Sequence, residues 1–154
     1  MSRKYNKFLS AAADFNLENS PYHWITQVHS QYRQNFDHAL KKYGLNNSSR
    51  RLLLALKSKP HASISDLSDI TICKMSTTTK IIYRLKEEGL VDTYCCENDG
   101  RITRVVLTDE GKQMTQKIND ISLIILEKSF AGLTPLKIEK MLESLKHIFR
   151  NLAG

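Results

Sequence analysis

The chain is poor in the residues that mark secreted, metal-bound or membrane-embedded proteins. Its 154 residues include three cysteines, three prolines, six glycines and one tryptophan. Two of the cysteines, Cys95 and Cys96, are neighbours, and such a set offers neither a disulfide framework nor a metal site of recognised spacing. No apolar run approaches the roughly 18 residues a membrane span needs. The N-terminus lacks the apolar core of a secretion signal, so a cytoplasmic protein is expected. Catalytic signatures are missing as well: there is no Gly-rich phosphate loop, no nucleophile elbow and no acid pair in an apolar setting. The five histidines are scattered, and His23 and His29, six residues apart, do not share a helix face. These absences argue against an enzyme, a metal and any other cofactor.

What the chain does have is positive charge. Lys and Arg number 23 against 16 Asp and Glu, a formal +7, which suits a polyanionic partner. The excess is spread along the chain: six cations and three anions in 1–45, ten and nine in 46–111, seven and four in 112–154. The weight therefore falls on where individual cations sit.

The stretch from Ser63 to Leu107 organises the rest. Ser63-Ile64-Ser65-Asp66 reads as a capping box, with the serine hydroxyl taking a free amide and the carboxylate reaching back. Ile64, Leu67 and Ile70 or Thr71 then give one apolar face. After Ile72-Cys73 a second helix is predicted from about Lys74 to Glu88, stopped by Gly89, with Met75, Thr78, Ile82 and Leu85 as its buried stripe. Its opposite face carries the short hydroxyls Ser76 and Thr77, then Lys80 and Arg84. Leu90 to Cys96 and Ile102 to Leu107 read as strands, and the Asp99-Gly100 turn between them signals a hairpin.

Helix, turn, helix and hairpin in that order predict a winged helix-turn-helix, with the second helix in the DNA major groove and the hairpin tip on the adjacent backbone or in the minor groove. Ser76, Thr77, Thr78 and Thr79 would let the helix end approach bases and phosphates closely. Lys74, Lys80, Arg84, Arg101 and Arg104 are placed to neutralise phosphates. The competing readings are a merely solvated surface and a protein-interaction module. The second would normally show exposed aromatic or aliphatic anchors on the docking helix.

Several motifs in this stretch resemble the MarR family, the multiple antibiotic resistance regulators. Asp99-Gly100-Arg101, then Val105, Leu107-Thr108 and Gly111, are similar to its wing signature, an Asp-x-Arg followed by Leu-Thr-x-x-Gly. Thr79-Lys80, Arg84-Leu85 and Gly89-Leu90-Val91 are similar to the end of its recognition helix. Thr93 departs from the pattern, standing where many members carry Arg. The resemblance implies a homodimeric transcriptional regulator, most often a repressor, that binds a pseudo-palindromic operator. It also implies release by a small ligand, often an aromatic or phenolic carboxylate, tied to catabolism or efflux.

The expected fold is mainly α with a small β-hairpin wing (α+β). A winged helix-turn-helix domain at 46–111 lies between an N-terminal arm and dimerisation helix at 1–45 and C-terminal dimerisation helices at 112–154. Ser20-Pro21 should start a helix running to about Tyr43, with Ile25, Val28, Tyr32, Phe36, Ala39 and Tyr43 as its stripe. The basic N-terminal stretch, with an apolar patch at Phe8, Leu9 and Ala11 to Ala13, reads equally as a short helix or a tail. Thr108 should cap a long helix with Met114, Ile118, Ile121, Ile124 and Ile125 inward, and Thr134-Pro135 should start the last. Leu123 and Leu126 make the long helix apolar on a second side, which asks for a partner chain.

For the ligand, His23, Trp24 and Gln27 on the first long helix and Arg50 or Arg51 on the next are the candidates. Rings would hold a flat anion and a guanidinium its carboxylate. The plainer alternative is a core tryptophan, a solvated histidine and a helix-end salt bridge. Thiol-based redox sensing is a second mode of control, with Cys73 beside Lys74 as its candidate, though inert thiols are the better expectation.

Overall fold

A computed structural model describes residues 3–10 and 13–154; Ala11 and Ala12 of the N-terminal apolar patch lie outside them. Beside short 3-10 turns at Arg3–Phe8, Leu17–Asn19 and Lys41–Tyr43, the described elements are α1 (Pro21–Leu40), α2 (Asn47–Ser58), α3 (Ile64–Thr71), α4 (Met75–Glu87), β1 (Val91–Cys95), β2 (Thr103–Leu107), α5 (Asp109–Phe130) and α6 (Pro135–Ala153). The chain divides into two compact units, one ending at Ile118 and one beginning at Asn119.

In the first unit the helix ends follow from local chemistry. Ser20 accepts the His23 amide at the start of α1, and the helix tightens into a 3-10 turn over Lys41–Tyr43. Gly44, at φ 69°, then turns the chain in the left-handed region that glycine tolerates. Asn46 caps α2 by accepting the Ser49 amide, and Leu52, Leu53, Ala55 and Leu56 are buried at the centre. The capping box of α3 forms in full, Ser63 Oγ accepting the Asp66 amide at 3.0 Å and Asp66 accepting the Ser63 amide at 3.2 Å. Ile64, Leu67 and Thr71 are buried, whereas Ile70 is exposed.

The α1 stripe is covered only towards its C-terminal end. Phe36 and Leu40 are buried, but Ile25 and Val28 remain 39 % and 63 % exposed. Expected core positions are likewise exposed in α4, where Met75 lies open while Thr78, Ile82 and Leu85 are buried. Met75 occupies the first helical turn, ahead of the neighbours that cover the rest of the stripe.

β1 and β2 pair antiparallel from Val91↔Leu107 to Cys95↔Thr103. Ala62 and Ser63 add a short third edge, Val105 donating to the Ala62 carbonyl at 3.0 Å and Ser63 bridging Arg104. After the hairpin, Thr108 caps α5, its Oγ1 accepting the Gly111 amide at 3.0 Å. The glycine of the Leu-Thr-x-x-Gly run has a steric reason. A Cβ at Gly111 would lie 2.0 Å from the Leu90 carbonyl oxygen, so this turn of α5 packs backbone against backbone.

In the second unit Thr134 accepts the Lys137 amide and Pro135 opens α6. α6 buries none of its residues, and Phe149 and Leu152 are 68 % and 71 % exposed. On α5, Ile121 and Ile125 are buried, but Ile124, expected inward, is exposed. At about 100° per residue it points away from the Ile118–Ile121–Ile125 line. No described helix is long and apolar enough to cross a membrane.

Candidate nucleic-acid interface

α4 starts without a side-chain cap. Lys74 occupies the N-cap position and supplies only its carbonyl, to the Thr78 amide and hydroxyl. First-turn amides therefore point outward with no side chain against them, and the positive helix end favours an anion. Ser76 and Thr77 are exposed on this turn, and Lys80 is exposed one turn further. Tyr83, also exposed, continues the line at i+7 from Ser76. Sequence reasoning passed over it, although that spacing carried the signal.

Several of the anticipated contact residues have partners within the chain. Thr78 is fully buried and its hydroxyl bonds back to Lys74, so its side chain belongs to the core rather than to the DNA-facing surface. Thr79 is half-buried and similarly tied, donating to the Met75 carbonyl at 2.8 Å. Arg84 reaches sideways. Its Nη2 donates to the Gly44 carbonyl at 3.0 Å and its Nε to Glu88 at 3.2 Å, which pins α4 to the α1–α2 connection.

The wing tip is built around one carboxylate. Asp99 Oδ1 accepts the Arg101 backbone amide at 3.0 Å and its Nε at 3.1 Å, while Oδ2 accepts Nη2 at 3.3 Å. The Arg101 side chain and then its amide hold the Asp99 carboxyl below its usual range. Arg101 stays 92 % exposed even so. The Asp-x-Arg spacing thus gives a pre-oriented guanidinium at the hairpin's end, with less freedom to lose on meeting a phosphate. Arg104, further down β2, donates to the His61 carbonyl at 3.2 Å.

A winged helix DNA-binding domain model matches residues 45–111. Over 142 residues the chain is 38 % identical to the HTH-type transcriptional repressor IacR of Pseudomonas putida, covering 92 % of this chain and 85 % of that protein. A MarR family regulator from Silicibacter pomeroyi superposes with a TM-score of 0.79 at 23 % identity, over 88 % of this chain and 92 % of that one. The chain belongs to the MarR family. It is a DNA-binding transcriptional regulator of the MarR type. Another structure of the same fold is that of BpsR from Bordetella bronchiseptica, described with regulation of its DNA binding by 6-hydroxynicotinic acid. It has a TM-score of 0.78 and 20 % identity, covering 87 % of this chain and 96 % of that one.

In this MarR chain the anticipated ligand residues fall into two groups. His23 packs edge-on against Trp24, ring centroids 5.3 Å apart, and the exposed indole donates to the Glu18 carbonyl at 2.7 Å. Gln27 is exposed one turn away. Arg50 lies elsewhere, buried with its guanidinium 3.9 Å above the Phe36 ring and hydrogen-bonded to Tyr32 and to Asn47 Oδ1. Burial lowers its pKa from the ordinary value, against the opposing pull of Tyr32. Tyr32 follows Trp24 by eight residues, about 12 Å along a helix, so Arg50 is committed at a different level of α1. Arg51 is half-buried and forms no ion pair among the described residues.

Among the cysteines, Cys73 is half-buried with its Sγ 3.6 Å from the Thr71 carbonyl. The thiol with the more distinctive setting is Cys96, which sequence reasoning did not single out. Amides of Asn98 and Asp99, then Arg104, hold it below the ordinary thiol value. That setting arises from the hairpin turn and has no signature in residue spacing.

Proposed function

We propose that this regulator acts as a homodimeric repressor, with no catalytic activity, that grips a pseudo-palindromic operator through α4 and the wing and lets go on binding an aromatic carboxylate. DNA contact is assigned to the α4 N-terminus with Ser76, Thr77 and Lys80, to Lys74, and to Arg101 at the wing tip. The observation that carries this reading is the Asp99–Arg101 clamp, which leaves a fixed guanidinium almost wholly in solvent beyond the hairpin. Arg84 and Arg104 support the frame through the carbonyls they hold.

Dimerisation is assigned to the terminal segments, 1–45 and 112–154. The exposed apolar side chains of α1 in the first unit, and separately those of α6 in the second, support it, since apolar surface left in water costs free energy until covered. Two-fold pairing would set the recognition helices one duplex turn, roughly 34 Å, apart.

The ligand is placed at His23, Trp24 and Gln27 with Arg51 as the anion partner, Arg50 being occupied by Tyr32, Phe36 and Asn47. The hydroxylated aromatic acid that regulates BpsR supports this ligand class. A thermal-shift panel of aromatic carboxylates tests it. A ligand at a hundred times its dissociation constant should add about 2.7 kcal/mol of stability and release bound DNA, and Trp24→Ala and Arg51→Ala should abolish both effects. Shifts unaltered in both variants would place the ligand elsewhere.

A further inference from the structure

The connection between α2 and α3 contains a residue whose backbone and ring both touch the wing. His61 has φ 61°, a left-handed conformation that is uncommon outside glycine, with histidine among the few side chains enriched there. Its Nδ1 is hydrogen-bonded to the Tyr94 hydroxyl at 3.0 Å, with the two rings edge-on and centroids 6.0 Å apart. Its carbonyl accepts from Arg104 Nη1 at 3.2 Å. Tyr94 and Arg104 are directly opposite in the β1–β2 register and share a face of the hairpin. One loop residue therefore holds both members of a cross-strand pair. Beside it the backbone continues the grip through Ala62 and Ser63 on β2.

We propose that His61 is a positioning residue for DNA binding. By clamping the Tyr94–Arg104 pair it sets the angle at which the wing leaves the helical core, and so the place where Arg101 meets the duplex. Arg101 lies three residues beyond Arg104, a lever of about 10 Å in extended chain, so a small swing at the base becomes a large displacement at the tip. A wing freed from the clamp would have to be ordered on binding, and affinity would fall accordingly. This inference rests on the reading of the wing as a DNA contact, and its test separates the two.

The test uses the full chain and a duplex selected by it from a randomised pool, with affinity read by fluorescence anisotropy and contacts by hydroxyl-radical footprinting. Tyr94→Phe removes only the hydroxyl, and His61→Gly removes the ring while fitting the backbone. Each should weaken binding about fivefold, as expected for one net hydrogen bond. Each should also fade the footprint at the wing-contacted flanks while the central protection stays, with the thermal midpoint unmoved or, for His61→Gly, raised. In an Arg101→Ala background either change should add little. Wild-type affinity in both variants, with Arg101→Ala impaired, overturns the clamp alone. So does an undiminished loss in the Arg101→Ala background, or a loss that tracks a falling midpoint. An Arg101→Ala protein that binds normally overturns the wing contact and the clamp's role with it.

Discussion

Arg101→Ala is the perturbation whose consequences can be worked out most fully. Of the five cations expected on the DNA-facing surface, Arg84 and Arg104 are held by the carbonyls of Gly44 and His61. The proposed reading takes Lys74, Lys80 and Arg101 as the residues that meet phosphates. A dimer then makes about six such contacts, and log affinity should fall with log salt at a slope of about −5, where all five residues would give about −9. Arg101→Ala removes two contacts and should make the slope shallower by about 1.8. At about 1.5 kcal/mol per charge-assisted bond, the low end for such bonds, affinity should drop by about 3 kcal/mol, roughly 150-fold. Anisotropy titrations across a range of potassium chloride concentrations measure both quantities, with the oligomeric state checked in parallel. An unchanged slope with intact affinity would refute the reasoning, as would a wild-type slope near −9.

Other expectations concern stability and titration. Gly111→Ala should destabilise the fold by about 1–3 kcal/mol in urea unfolding, since its Cβ overlaps the Leu90 carbonyl and backbone must shift; a neutral variant would mean that α5 does not approach so closely. Ile72 caps α3 at φ 53° while 84 % exposed. Ile72→Gly should therefore gain about 1 kcal/mol by relieving a β-branched residue of the left-handed conformation, and a loss of stability would contradict that strain. The Asp99 carboxyl should titrate below 3.8 in a carbon-detected pH series and return towards 3.8 in Arg101→Ala. Because the folded value is the depressed one, the clamp is fully formed above the ordinary carboxylate range and is lost only as pH falls through the lowered value. A midpoint at or above 3.8 in the wild type would count against it.

Much of the fold could be read from residue order because it is set locally. The Ser63–Asp66 capping box, the Asn46, Thr108 and Thr134 caps and the Asp99-Gly100 hairpin each depend on residues within three or four positions of one another. What residue order does not carry is the pairing of partners distant in sequence. Arg84 finds Gly44, 40 residues away, and Arg104 finds His61, 43 away; neither pairing has a periodic signature. Thr78 looked like both a core and a contact residue, and only the packing around it decided for the core. Arg50 stands beside Trp24 among the ligand candidates, and α1 presents Tyr32 and Phe36 to it. Ile25 and Val28 match an apolar stripe that the first unit covers only at Phe36 and Leu40. Helical periodicity marks which side of a helix is greasy, not what covers it.

Sedimentation velocity of the protein with and without a duplex carrying two selected half-sites one helical turn apart tests the central claim most directly. A free species of twice the chain's mass, and one such dimer on each duplex, is the predicted result. A monomer at working concentration, or no complex even in dilute salt, would contradict the account.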